Sequence, residues 1–346
     1  MALIVSSASV TSGIIFGLQG PMLTEEEKSF FRDVEPLGYI LFSRNIEEPD
    51  QLRYLTSSLR EISSHEHVPI LIDQEGGRVA RLRPPFWRET FPAGCYADLA
   101  RRNLDEAQRA VYINHQLIAY ELLDLGINVN CAPVIDLQIP GASDIIGDRA
   151  FGVSVKEVVS LGREAAKGLM DAGVLAIMKH IPGHGRAEVD SHLELPRIGE
   201  AKDQLMVTDF SAFRELSSDI PWAMTAHIIY SAIDDIHPAT LSGKIIKEII
   251  RGYIGFDGFL ISDDLGMKAL SGDLAMLARQ SLVAGCDAVL HCSGIFDEMK
   301  QVAKGVDALS DLSKRRLNKG WQCIKENAYI DAPGLRQELA SLLQKR

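Results

Sequence analysis

The sequence lacks a basic surplus, and that absence removes whole classes of partner. Its 36 Lys and Arg are outnumbered by 47 Asp and Glu, for a formal net charge of -11 at pH 7. Nucleic acid and anionic membrane surfaces need a basic face, so neither is an expected partner. No apolar run approaches the ~20 residues of a membrane span. The N-terminus, MALIVSSASVTSGIIFGLQG, is mildly apolar but has no basic n-region and runs on as a strand would; it reads as part of the fold rather than a secretory leader. Cysteine is scarce: Cys95, Cys131, Cys286, Cys292 and Cys323 are odd in number and contain no Cys-x-x-Cys pair. That argues against a disulfide framework or zinc knuckle and points to a reducing, cytoplasmic setting. Ser/Gly-rich linkers, low-complexity tracts and short repeats are missing too, which leaves no marked domain boundary.

What is present is enough apolar material for one large core: 46% of 346 residues are hydrophobic. Eight short apolar runs rich in β-branched residues recur along the chain, each ending in Gly, Asp, His or Ser. They are IIFGLQG from Ile14, GYILFS from Gly38, PILIDQEG from Pro69, INVNCAPVIDL from Ile127, VLAIMKH from Val174, WAMTAHIIY from Trp222, GFLISDD from Gly258 and AVLHCSG from Ala288. Helix-like stretches separate them. TEEEKSFFRDV opens with Thr24 and carries Glu27 three residues on, a capping-box pattern, and SVKEVVSLGREAAKGLMDAG ends at Gly173. Eight strands alternating with helices predict an α/β fold, a (β/α)8 TIM-type barrel, with an open doubly wound sheet as the structural alternative. The chain reads as one domain over 1–346, with a helical addition from about residue 309.

In such a barrel the site forms where strands end and loops begin. The polar residues there are numerous: Asp73-Gln74-Glu75-Gly76-Gly77-Arg78-Val79-Ala80-Arg81 after the third run, Asp136 and then Gly147-Asp148-Arg149 after the fourth, Lys179-His180-Ile181-Pro182-Gly183-His184-Gly185 and then Asp190-Ser191-His192 after the fifth, His227 in the sixth, and Ser262-Asp263-Asp264 closing the seventh. Singly, most have a bland reading. Asp136 and Asp264 suit helix caps as well as catalysis, Gly76-Gly77 suits a tight turn, and His227 suits a hydrogen-bonded wall. His180 and His184 stand four apart as a metal pair would, but Pro182 and Gly183 break the helix that would align them. No metal or cofactor is therefore expected. Convergence is what resists the bland reading, because a barrel needs no ring of Lys, His, Arg and Asp at several strand ends for stability.

These segments resemble, in order, the motifs of glycoside hydrolase family 3, in particular its compact single-domain bacterial N-acetylglucosaminidases. Asp73 to Arg81, Lys179 to Gly185, Asp190-Ser-His192 and Ser262-Asp263-Asp264-Leu-Gly-Met267 carry the likeness. Two departures are Ile181, where the family usually has Phe, and the wording around Asp264. The resemblance implies a retaining glycosidase with Asp263 as nucleophile, His192 as acid/base and Asp190 as its partner, and sugar-binding roles for Asp73, Arg81, Arg149, Lys179 and His180. It further implies a preference for N-acetylglucosamine and a place in cell-wall muropeptide recycling, with a small carbohydrate or muropeptide as the partner and a monomer as the working unit.

The residue types suit that chemistry. Retention needs one carboxylate to attack the anomeric carbon and a second group that protonates the leaving oxygen and then deprotonates water. An imidazole, with an unperturbed pKa of ~6.5, can do the second task near neutrality. In an extended segment Asp190 and His192, two apart, would project to one side, so the carboxylate could orient the ring. Three other readings stay open from the residues alone: a metal-dependent hydrolase using His180, His184 and His192, a sugar-binding barrel without turnover, and a transferase whose glycosyl intermediate meets phosphate or another sugar.

Overall fold

The computed structural model describes residues 11–65, 67–191, 193–325 and 329–344. Ten strands occur in it: β1 Ser12–Gly17, β2 Pro36–Leu41, β3 Ile70–Ile72, β4 Val129–Asn130, β5 Leu175–Ile181, β6 Arg197–Ile198, β7 Trp222–Thr225, β8 Ile229–Tyr230, β9 Phe259–Asp264 and β10 Ala288–His291. Eight of them close a barrel in the order β1-β2-β3-β4-β5-β7-β9-β10 and back to β1, every pairing parallel. Each of the eight apolar runs supplies one staff, in chain order, so the closed barrel replaces the open-sheet alternative. The remaining pair, β6 and β8, forms a short parallel ladder of its own.

Alternation of side chains along each staff builds two apolar layers. Ile15, Ile40, Leu71, Val129, Ile177, Met224, Ile261 and Leu290 pack together inside the barrel. Their neighbours Ile14, Tyr39, Ile70, Ala176, Ala223, Leu260 and Val289 point outward into the layer shared with the helices. Those helices start where the sequence signals said. Thr24 and Glu27 form the expected capping box on the helix Glu25–Val34, and Ser154 with Glu157 forms another on Val155–Asp171. That second helix stops two residues before Gly173, which takes φ +99° just beyond its end.

The end of the barrel away from the site is stoppered by the helix Asp311–Trp321, whose Leu317 and Trp321 join the interior cluster. Trp321 meets Trp222, the first residue of β7, edge to face at 6.1 Å between ring centroids. A last helix, Ala332–Gln344, lies against Leu104–Asp124, with Arg109 and Glu338 paired at 2.7 Å. No helix of the described residues is long and apolar enough to cross a membrane. The reading of the first ten residues as part of the fold falls outside the described residues.

Candidate active site

A cavity of about 300 Å³ opens at the carboxyl ends of the strands. Its wall takes residues from six staves or the segments just after them: Phe42, Asp73, Lys179 with His180, Met224, Asp263 with Asp264, and Cys292. Successive residues of a regular strand face opposite ways, yet Lys179 and His180 both reach the cavity. The register of β5 against β7 slips between Lys179 and Ile181, and that irregularity turns both side chains to one side.

A buried ion network forms one wall. Lys179 Nζ donates to Asp73 at 2.8 Å and lies 2.7 Å from Glu75. Arg149 grips Glu75 with two bonds of 2.8 Å from Nε and Nη2, and its Nη1 donates to the Ile145 carbonyl. Arg81 Nη2 reaches the second oxygen of Asp73 at 3.0 Å, while its guanidinium lies over the Phe42 ring. Burial alone would raise both carboxyls, but the adjoining cations win. Arg149 and Lys179 hold Glu75 at about 2, and Lys179 with Arg81 holds Asp73 well below the usual carboxylate range. The same partners raise Lys179 against its own burial. Both carboxylates and the ammonium are thus charged at neutral pH.

The loop that delivers Arg81 doubles back through the glycine pair. Gly76 and Gly77 take φ +117° and +58°, and the Gly76 amide bonds the Val79 carbonyl. A β-carbon on Gly76 would lie 2.3 Å from the Phe91 carbonyl oxygen. The tight-turn reading of this pair holds, and the turn is what returns Arg81 to Asp73.

Asp263 and Asp264 close β9 and do different work. Asp263 lines the cavity; its amide bonds Thr225 Oγ1, and its Oδ1 accepts the Asp264 amide at 2.8 Å. Burial pushes the Asp263 carboxyl up, but His227, His180, that amide and Lys179 more than offset it and leave it below its ordinary value. Asp264 uses Oδ1 to accept the amides of Gly266 and Cys292, at 3.0 and 2.9 Å, so it ties the segment after β9 to that after β10. His227 is fully buried and bonded at both nitrogens, to Thr240 Oγ1 and to the Asp264 carbonyl; the wall reading applies.

Asp136 is not a helix cap. Its buried carboxylate accepts the His180 ring at 2.7 Å, the His180 amide at 3.1 Å and the His184 amide at 2.6 Å. With Nδ1 committed to Asp136, His180 keeps Nε2 for whatever enters the cavity. His184 faces away from that task, its Nε2 3.0 Å from Ser191 Oγ. Among the described residues no three His, Cys, Asp or Glu side chains converge as a metal-ligand set, and two of the cavity's carboxylates, Asp73 and Glu75, are already paired with Lys179, Arg81 and Arg149.

Residues 15–325 match the glycosyl hydrolase family 3 N terminal domain. The chain belongs to glycosyl hydrolase family 3. Within that family it is similar to the Beta-hexosaminidase of Alkalilimnicola ehrlichii, 44% identical over 285 residues that span 81% of this chain and 80% of that protein. The Beta-hexosaminidase of Methylococcus capsulatus is 38% identical over 81% of this chain and 82% of its own length. Among solved structures, NagZ from Neisseria gonorrhoeae in complex with N-trifluoroacetyl-D-glucosamine superposes with a TM-score of 0.85 at 31% identity, covering 96% of this chain and 97% of that one.

Of the residues singled out for this glycoside hydrolase family from sequence, Asp73, Arg81, Arg149, Lys179, His180 and Asp263 all line one cavity. His192 lies outside the described residues. Asp190 sits beyond the cavity, and its carbonyl accepts the amides of Leu193 and Glu194, so the chain turns there. The pairing expected of Asp190 with His192 thus reaches a residue outside the described ones. Sequence reasoning passed over Glu75, Asp136 as an organiser, Phe42 and Cys292. Glu75 stands two residues from Asp73 and so on the same side of an extended chain, a signal that was there to use.

Proposed function

We propose that the chain is a retaining β-N-acetylhexosaminidase that removes a terminal β-linked N-acetylglucosamine through a glycosyl ester on Asp263. The observation that carries this reading is Asp263 itself: a carboxylate on the cavity wall, below its ordinary pKa and steadied by the Asp264 amide. A nucleophile must be ionised at working pH, and this one is. Asp263 attacks the anomeric carbon as the glycosidic C–O bond breaks, and His192 gives its proton to the leaving oxygen. His192 then takes a proton from water, whose oxygen displaces Asp263 with a second inversion. Asp190 orients His192 in this reading.

Hydrogen-bond capacity supports sugar binding by the remaining residues. Lys179 donates one of its three ammonium hydrogens to Asp73 and lies in an ion pair with Glu75. Arg149 spends three of five N–H groups on protein. Arg81 spends Nη2 on Asp73, and its side chain lines the cavity. Together with Asp73 and His180 these leave several donors and acceptors aimed at hydroxyls. A volume of about 300 Å³ is at the low end of the ~300–1,000 Å³ of small-molecule sites and suits one sugar ring better than a polymer. The names of the relatives support the N-acetylhexosamine preference, and the family resemblance extends the reading to N-acetylglucosaminyl-1,6-anhydro-N-acetylmuramyl compounds of cell-wall recycling in the cytoplasm.

Incubation with that disaccharide, and separately with chitobiose, tests the reading by NMR of the freshly released sugar. The expected first product is β-N-acetylglucosamine from the anhydro disaccharide. Initial release of the α-anomer, or no release from either compound, would contradict it.

A further inference from the structure

After β5 the chain stays buried through Gly185 and again at Ala187, then comes to the surface: Glu188, Leu193 and Glu194 are exposed, and Asp190 is half-buried. Ser191 turns back inward between them. It is 3% exposed, and it is held from two directions. Its carbonyl accepts the Ala269 amide at 3.2 Å, from the segment that follows Asp263 and Asp264 on β9. Its hydroxyl lies 3.0 Å from Nε2 of His184, which is 2% exposed.

His184 is in turn fixed from behind. Its amide donates to Asp136 Oδ1, while the other oxygen of Asp136 takes the His180 amide and ring. The His180 and His184 rings meet edge to face at 5.4 Å. One buried carboxylate therefore sets both the histidine on the cavity wall and the histidine that meets Ser191. Gly185 keeps this turn close to the barrel: a β-carbon there would lie 2.1 Å from the Leu137 carbonyl oxygen.

The direction of the histidine–serine bond follows from the rest of the ring. Burial first, and then the nearby His180, push the His184 imidazole down to about 4, so it is neutral at working pH and carries one N–H. Its Nδ1 is buried with no hydrogen-bond partner among the described residues. Hydrogen on Nδ1 would leave an orphaned buried donor, a costly arrangement; hydrogen on Nε2 leaves none. Nε2 therefore donates and Ser191 Oγ accepts.

We propose that His184 is a positioning residue that, through its bond to the Ser191 hydroxyl, anchors the turn at Asp190 and Ser191 from which the chain runs on to His192. The proposal deepens the reading above and rests on His192 as acid/base. His184 acts only through Ser191 and does not touch the sugar, which separates its role from that of His180 on the same motif.

The test compares Ser191→Ala, Ser191→Thr, His184→Leu, His184→Gln and His192→Ala, using pre-steady-state glycosylation by aryl N-acetyl-β-glucosaminides of widely different leaving-group pKa, with a melting curve for each variant. General acid help is worth ~10²–10⁴ in rate and matters most for poor leaving groups. Ser191→Ala and His184→Leu should each slow the poorest leaving group about 10-fold or more and the best less than about 3-fold, which steepens the leaving-group dependence in the direction of His192→Ala. His184→Gln, which keeps a donor near the Nε2 position, and Ser191→Thr, which keeps the hydroxyl, should recover most of the loss. The Ser191→Ala/His184→Leu double variant should be no worse than the poorer single one. A steep dependence in His192→Ala with unchanged slopes in folded Ser191→Ala and His184→Leu would overturn the positioning role alone. A flat dependence in His192→Ala would overturn the acid/base reading and this proposal with it.

Discussion

Glu75 lies between two cations, and what it does there is electrostatic before it is anything else. It bonds Arg149 twice and lies against Lys179, which is buried and would lose its reason to stay charged without carboxylates beside it. Removing one member of a buried pair leaves an uncompensated charge and costs roughly 3–5 kcal/mol. Glu75→Gln should therefore lower the melting temperature clearly at pH 7 and loosen Lys179 in the cavity. The pH dependence has a definite sign. Glu75 sits at about 2 in the fold, below the ~4.3 of an unfolded chain, so its contribution is complete above the unfolded value and lost as pH falls toward 2. The gap in stability between the native protein and Glu75→Gln should be constant from pH 7 to about pH 5 and shrink below that, as read by thermal melts across the range. A gap that widened on acidification would mean the carboxyl is not held ionised by its neighbours.

At the scale of elements, the stopper helix Asp311–Trp321 does for the far end of the barrel what the ion network does for the near end. Ser310 caps its start by accepting the Ser313 amide. Ser313 and Arg316 bond Asp287, the residue before β10, and Trp321 fills the interior against Trp222. Large-to-small changes at buried aromatic positions cost about 3–5 kcal/mol. Trp321→Ala should destabilise the fold by that amount in denaturant unfolding while leaving KM for an aryl glycoside close to native, since the helix and the cavity lie at opposite ends. A large rise in KM without loss of stability would show that the two ends are coupled.

For the whole molecule, the eight staves were legible because their apolar runs alternate inward and outward and end in residues that cannot continue the pattern. Asp263, Lys179 and His180 were legible for a related reason: strand ends in a closed parallel barrel converge on one mouth. What pattern could not convey was long-range. Asp136 reads locally as a cap, but its carboxylate is spent on His180 and His184, which are more than forty residues away. Glu75 gains its meaning only when β4's loop brings Arg149 to it. The bond from the Ala269 amide to the Ser191 carbonyl was also hidden, since nothing local pairs residues so far apart in the chain.

The account stands or falls on Asp263 as the atom that bonds sugar. A fluorinated mechanism-based N-acetylglucosaminide, slow to turn over, should trap the ester, and mass mapping of the digested protein should find one label, on Asp263, with Asp263→Ala unlabelled and inactive. Asp264 spends its carboxylate on the Gly266 and Cys292 amides, so Asp264→Ala should lose stability but keep measurable turnover. A label on Asp264, or full labelling of Asp263→Ala, would contradict the assignment.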